Sequence, residues 1–330
     1  MIVIARCPCR ISLLGGGSDL DWFIREKGRG YCIGFSVSIF SRVAIGFRFG
    51  SNKRGILNYS SREEYTDIQS ISHPIIRACL EKYSVHNPIE LASFGDAFMG
   101  GGLGSSSSFV VSLIKAIHHL LDKPLDNIEV AKQACDIEIN YLNNPIGSQD
   151  QYLCALGGVN FLEFSNNLNV NILNYNLIEK TIKNYTQKLF LVNTFISRSA
   201  SKQLSLIKNK KNSFDSIEKI LSIADEFIDI TKDLEDENKI TSYLDEAIDN
   251  SWDVKKRIEG VFNDDLALIE NELIKLNFKL LKVLGAGGGG YLLVKYQGKN
   301  LVSDLKTINQ TKLKISPIQV SNEGCKVWEI

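Results

Sequence analysis

Hydrophobic positions along this chain fall into two rhythms. Short runs rich in Ile, Val and Phe, "IVIARCPCRISL" (2–13), "YCIGFSV" (31–37), "RVAIGFRF" (42–49) and "IELASF" (89–94), predict β-strands. A different spacing follows: Val110, Leu113, Ile114, Ile117 and Leu121 recur at three and four residues and predict one buried face of a helix over 106–121. A second helix is expected over 128–142, with Val130, Ala134, Ile137 and Tyr141 on its apolar face, and a strand at "VNFLEF" (159–164). The stretch 165–188 is rich in Asn and Lys, weakly patterned, and reads as a surface connection. Beyond it come a strand, "KLFLVNT" (188–194), helical spacing from about 199 to 277, "KLLKVLGAGGGGYLLVKY" (279–296), a helix in "LVSDLKTI" (301–308) and a strand in "KLKISPI" (312–318). Strands, then helices, then strands predict an α+β architecture. The expected division is a first domain over 1–187 and a second over 188–330.

Composition narrows the class. A chain of 330 residues with 44% apolar and 23% charged residues buries a sizeable core. Lys plus Arg and Asp plus Glu both number 38, a balance that argues against nucleic-acid and membrane-surface partners. No apolar run approaches the ~18 residues of a bilayer span, and "MIVIARCPCRISLL" reads as a strand and not as a leader. The seven cysteines form no even framework, and Cys7 and Cys9 have no second Cys/His pair at zinc spacing. They fit small core residues in a reduced, cytoplasmic protein. The Lys-rich "KNKKN" (208–212) reads as a solvated loop.

Three glycine-rich stretches change the picture. "GGGLGSSSS" (100–108) would be a flexible linker by composition alone. It is short, however, and opens directly into the apolar helical pattern. Glycines let backbone N–H groups approach a ligand, and a helix N-terminus offers free donors and partial positive charge, which suits phosphate. "GGGSDLDWF" (15–23) follows the first strand, and "GAGGGG" (285–290) sits between two apolar runs. Five glycines in six residues exceed what a hairpin turn requires; close approach to a ligand or to the opposite domain accounts for them better. None is a Walker A loop, and none has the acidic partner of a dinucleotide fold.

Charged residues accompany these loops. Glu138 projects beside the apolar face of the 128–142 helix, where a carboxylate is costly unless paired. It is either half of a buried ion pair or a magnesium ligand, with substrate phosphates and a serine hydroxyl completing the shell. Asp150 stands in "NPIGSQDQY" (144–152), after the helix ends. Taken alone it reads as a turn or capping residue; Arg10 in the first strand is a candidate partner that would hold it ionised.

The three motifs "PCRISLLGGGSD" (8–19), "GGLGSSSSF" (101–109) and "LGAGGGGYLL" (284–293) together resemble the GHMP kinase superfamily, which includes galactokinase, homoserine kinase, mevalonate kinase and phosphomevalonate kinase. Within it the chain is most similar to the D-glycero-D-manno-heptose 7-phosphate kinases, on "RISLLGGGSDL", "GSQDQYLCALGGVNFLEF", "SWDVKKR" (251–257) and "LGAGGGGYLL". Two departures stand out. The second motif opens with "AFMGGG" where a Pro-containing element is usual, and "TFISRSA" (194–200) has Phe195 where the subfamily has glycine.

The resemblance implies a two-domain GHMP kinase fold, with an N-terminal domain like ribosomal protein S5 domain 2 and a ferredoxin-like C-terminal domain. It implies ATP and Mg²⁺, and transfer of a phosphoryl group to the anomeric hydroxyl of a sugar phosphate. Matched by position, Asp150 is the catalytic aspartate and Arg10 the basic residue beside it. Gly101, Gly102, Gly104 and Ser105 belong to the phosphate loop. Ser106 and Glu138 are the Mg²⁺ ligands, and Asp19 binds sugar hydroxyls. Arg198 and Lys256 are the candidates for holding the substrate's own phosphate. The expected partner is a small sugar or sugar phosphate, with a homodimer possible. Alternatives are a galactokinase-like or fucokinase-like enzyme acting on an unphosphorylated sugar, a decarboxylase on the same fold, and a non-catalytic nucleotide sensor. Arg10, Glu138 and Asp150 together argue against the sensor, which needs no base.

Overall fold

The computed structural model describes residues 1–49, 54–98, 100–196, 212–301 and 313–330. The helix expected over 301–308 falls mostly outside them.

Strand β1 (Val3–Leu14) buries Val3, Ala5, Cys7, Cys9, Ile11 and Leu13, the alternation of a strand with one face in a core. It lies antiparallel to β2 (Arg29–Phe47), and the register slips at Pro8/Cys9. Residues before the slip pack in one apolar cluster and residues after it in another. Pro8, which has no N–H to donate, sits at this irregularity, where a strand tolerates proline. The two runs expected at 31–37 and 42–49 are one strand. The first part of β2 pairs with β6 (Val159–Ser165) and the last part with β5 (Ile89–Gly95), so each run follows a different neighbour.

The first sheet runs β12–β1–β2–β5–β3–β4, with β6 and β7 (Asn169–Leu173) branching from β2. Strands β3 (Gly55–Asn58), β4 (Arg62–Tyr65) and β12 (Lys326–Glu329) were not expected; each is four residues long, too short for a clear period. Helices α1 (Asp21–Lys27), α2 (Pro74–Lys82) and α5 (Gln149–Leu156) are likewise short. Helix α3 (Ser105–Leu120) packs on β1 and β2, and α4 (Asn127–Cys135) on α3 and α5.

Residues 165–188 are not a plain surface connection. They hold β7 and α6 (Asn176–Thr186), which buries Ile178, Ile182 and Tyr185. Its spacing of four and three residues is helical, but the intervening Asn and Lys residues dilute it.

The second sheet, β11–β8–β10–β9, is built from β8 (Leu189–Asn193), β9 (Phe278–Val283), β10 (Tyr291–Tyr296) and β11 (Lys314–Pro317). Three helices accompany it: α7 (Ser213–Thr231), α8 (Glu237–Lys255) and α9 (Asp264–Lys275). The second sheet thus opens at Leu189, next to the expected division at 187/188. The chain then returns, because β12 pairs with β1 in the first sheet. One apolar cluster is continuous from β1 and β2 through α7 and α8 into β8, β9 and β10.

Candidate active site

A cleft of about 600 Å³ opens between the two sheets. All three glycine-rich stretches reach it, with Arg10, Asp19, Glu138 and Asp150 in its wall.

Arg10 lies in β1 between Cys9 and Ile11, which face the core, so alternation turns its side chain toward the cleft. Its Nε donates to Asp150 Oδ1 at 2.6 Å, its Nη2 donates to Asp150 Oδ2, and its Nη1 donates to the Gly102 carbonyl at 2.6 Å. This is a bidentate pair, the geometry that combines strength with fixed orientation. Burial opposes charge on Arg10, yet the Asp150 carboxylate outweighs it and raises the guanidinium pKa above its ordinary value. Asp150 sits in the first turn of α5 and keeps 24% of its side chain exposed to the cleft. It is an ion-paired helical residue, not the turn or capping residue its local sequence suggests.

The phosphate-type loop ends at Gly104, which has φ +70° and starts α3. Ser105, Ser106 and Ser107 follow it along the cleft wall. Gly102 has φ +88°, and a Cβ there would stand 2.5 Å from the Leu284 carbonyl oxygen. The second and third glycine stretches therefore touch through backbone, and no side chain fits between them. Gly101 lies behind this contact: its carbonyl accepts from Tyr291 N at 2.8 Å, and it does not line the cleft.

Glu138 lies four residues beyond buried Ala134 and three beyond buried Cys135, where the helix widens. Residues Asp136–Tyr141 continue α4 as a π turn, closed by Leu142 N donating to the Ile137 carbonyl at 3.0 Å. The extra residue rotates the following side chains. Glu138 is buried, whereas Tyr141, expected on the apolar face, is 49% exposed. Glu138 Oε2 accepts from Ser107 Oγ at 2.9 Å and Gln151 Nε2 at 2.7 Å; among the described residues, Oε1 meets only Ser106 Oγ, at 3.5 Å. Burial drives its pKa up to about 7, against the lowering effect of Gln151 and Ser107. No cation is among these partners, so the ion-pair alternative for Glu138 does not hold among the described residues.

Asp19 is nearly buried in the cleft wall. It accepts from Gln149 N at 3.1 Å, Gln149 Nε2 at 2.9 Å and Gly17 N at 3.2 Å. Burial raises its pKa to about 6, with the Gln149 backbone opposing and Asp150 adding. A Cβ at Gly147 would lie 1.9 Å from Asp19 Oδ2, so only glycine lets the two segments meet.

Lys256 does not reach the site. It is 40% exposed and pairs with Asp253 at 2.8 Å along its own helix. Its neighbour Lys255 lines the cleft instead, three residues beyond buried Trp252 and four beyond buried Ser251. That helical phase was available in the sequence and separates the two lysines by a quarter turn. Lys255 Nζ donates to the Gly285 carbonyl at 2.8 Å, and Lys282 Nζ donates to the Leu13 carbonyl at 2.9 Å. Burial pulls the Lys255 ammonium well below its usual pKa, helped by Lys282 and Arg10. Lys282 is pushed down to about 8, by burial first, with Cys32 opposing and Arg10 adding. Arg198 lies outside the described residues.

Residues 71–158 match the family model for the GHMP kinases N terminal domain. The D-glycero-alpha-D-manno-heptose 7-phosphate kinase of Campylobacter jejuni is 30% identical, over 98% of each chain. The chain belongs to the GHMP kinase family. Solved structures agree on the fold. A D-glycero-D-manno-heptose 1-phosphate kinase from Bacteroides thetaiotaomicron superposes with a TM-score of 0.76 at 20% identity, covering 99% of both chains. The Methanococcus jannaschii mevalonate kinase superposes with a TM-score of 0.72 at 18% identity, covering 97% of this chain and 98% of its own. This GHMP kinase is therefore an ATP-dependent phosphotransferase with an alcohol group as acceptor. Among the described residues, no helix is long and apolar enough to cross a membrane.

Proposed function

We propose that this kinase transfers the terminal phosphoryl group of ATP to the anomeric hydroxyl of D-glycero-D-manno-heptose 7-phosphate, giving the 1,7-bisphosphate and ADP. The observation that carries this reading is the bidentate Arg10–Asp150 pair, held against the loop that opens α3, in a chain similar over its whole length to a heptose 7-phosphate kinase.

The N–H groups at the start of α3 and the Ser105 hydroxyl receive the nucleotide phosphates. Asp150, oriented from behind by Arg10, takes the proton of the attacking sugar hydroxyl. The new O–P bond forms as the bond to the ADP oxygen breaks. Positioning and charge neutralisation supply most of the acceleration, since phosphoryl transfer asks little covalent chemistry of the protein. Asp19 and Gln149, locked together beside Asp150, orient the sugar hydroxyls.

The donors around Glu138 suit Mg²⁺. One carboxylate oxygen has a single long contact, to a serine hydroxyl, and among the described residues the buried carboxyl has no cationic partner. Mg²⁺ typically takes one or two carboxylates and fills its shell with water and substrate phosphates. Among the described residues, no cluster of three His, Cys, Asp or Glu gathers there to hold an ion by itself. Ser106 and Glu138 Oε1 would hold the ion, which neutralises phosphate charge when bound. All seven cysteines are buried and unpaired, in keeping with a reduced cytoplasmic location.

The test is ADP release with heptose 7-phosphate, the unphosphorylated heptose, galactose and fucose. Asp150→Asn serves as the control, expected to lose about 10²-fold or more in kcat with nucleotide affinity kept. The phosphorylated heptose should win in kcat/KM by about 10²-fold, the scale of a lost charged contact or two. Equal values for the two heptoses overturn the assignment and favour a galactokinase-like or fucokinase-like enzyme.

A further inference from the structure

Three cationic side chains, Arg10, Lys255 and Lys282, line the cleft together; Lys282 and Arg10 disfavour charge on Lys255, and Arg10 disfavours it on Lys282. Among the described residues, only Arg10 of the three is matched by an acid. Among the described residues, the partners of the Lys255 and Lys282 ammonium groups are main-chain carbonyls: Gly285 and Val283 for the first, Leu13 for the second. The carboxylates of the cleft are committed elsewhere. Asp150 faces Arg10, Asp19 accepts from Gln149 and Gly17, and Glu138 accepts from Ser107 and Gln151. Desolvating two lysine ammonium groups without an anion is costly, and an anion bound in the cleft would offset that cost.

Position narrows what that anion is. Lys255 is tied to Gly285, whose backbone packs on Gly102, and the Gly102 carbonyl holds Arg10. The lysine thus stands where the phosphate-type loop meets the Arg10–Asp150 pair. We propose that Lys255, with Lys282 fixed beneath it on β9, binds a phosphoryl oxyanion at this end of the cleft. Lys255 is the contacting residue, and Lys282 is a positioning residue that anchors β9 to β1. The proposal rests on the kinase reading only in that the cleft accepts phosphate groups. Two ligands carry the required chemistry: the nucleotide's terminal phosphate and the acceptor's own phosphate.

The experiment begins with the wild-type chain. Lys255 acetylation by dilute acetic anhydride is followed by peptide mass spectrometry, at matched ionic strength in sodium chloride. Inorganic tripolyphosphate and heptose 7-phosphate are added in separate arms. One of them should slow labelling of Lys255 by about 10-fold, as for a group held in a charged hydrogen bond. Protection by tripolyphosphate assigns the nucleotide; protection by heptose 7-phosphate assigns the acceptor. Equal labelling with and without both overturns the site. Lys255→Met should weaken the protecting ligand by about 10-fold in calorimetry, and Lys255→Arg should restore most of it. A folded Lys255→Met with wild-type affinity also overturns it. If the methionine variant does not fold, the wild-type labelling decides alone. ADP release by the wild type is scored separately: protection without turnover keeps this site and removes the heptose reading.

Discussion

Glu138 shows how much one side chain's surroundings decide. Its pKa of about 7 stands above the ordinary 4.5 because burial disfavours the charge. The folded chain therefore keeps a proton that the unfolded chain releases. The sign follows: the group's stabilising contribution is fully present below about pH 4.5 and fades as pH rises through about 7. Glu138→Gln cannot lose a proton, so without Mg²⁺ its Tm should gain on the wild type between about pH 5 and pH 8. The same variant should need about 10-fold more Mg²⁺ for half-maximal turnover, since a charged ligand becomes a neutral one. A flat Tm difference together with an unchanged Mg²⁺ titration would remove Glu138 from the metal site.

At the scale of the element, the loop after β8 carries a strained residue. Phe195 has φ +57° and is 67% exposed, at the place where the similar subfamily has glycine. Phe195 N donates to Asn193 Oδ1 at 2.8 Å and Ile196 N to Thr194 Oγ1 at 3.2 Å, and these bonds help hold the turn. The left-handed conformation costs a non-glycine residue about 1–2 kcal/mol, and a β-branched one more. Phe195→Gly relieves that strain but enlarges the unfolded ensemble by a comparable amount, so its stability should stay within about 1 kcal/mol of wild type. Phe195→Val should fall about 1–2 kcal/mol below the glycine variant in urea unfolding. Equal midpoints for the two would show that the turn relaxes. The π turn at Asp136–Tyr141 is a related case. Nothing in the residue pattern announces it, because the apolar spacing continues through it as for an ordinary helix.

The whole molecule closes on itself through its ends. β12 pairs with β1 at Val3–Arg6, Cys325 is buried, and Cys325 N donates to the Ala155 carbonyl at 2.9 Å. Deleting residues 323–330 bares the edge of β1 and removes these contacts. It should lower the Tm by at least about 2–4 °C, the shift expected for each kcal/mol lost in a large domain. Differential scanning calorimetry checks this; an unchanged Tm would mean that β12 contributes nothing to the first sheet's stability.

By itself, the sequence determined the β1 alternation, the helix opened by "GGGLGSSSS", the strands β6 and β8, and the glycine-rich stretches, because each is a local pattern whose period or backbone freedom can be read without neighbours. Charge and position singled out Arg10, Glu138 and Asp150, resemblance gave them roles and added Asp19, and the structure gathers all four around one cleft. Tertiary structure alone decided the rest. It made one strand of two runs by giving β2 a new partner halfway along, and through a π turn it left Tyr141 exposed where a regular helix would bury it. It also chose Lys255 over Lys256, since two adjacent residues of a helix point a quarter turn apart and only packing says which direction is the cleft. Charge type made Arg10 a candidate partner for Asp150, but the bidentate contact spans 140 positions of the chain, and no local pattern fixes a contact at that distance.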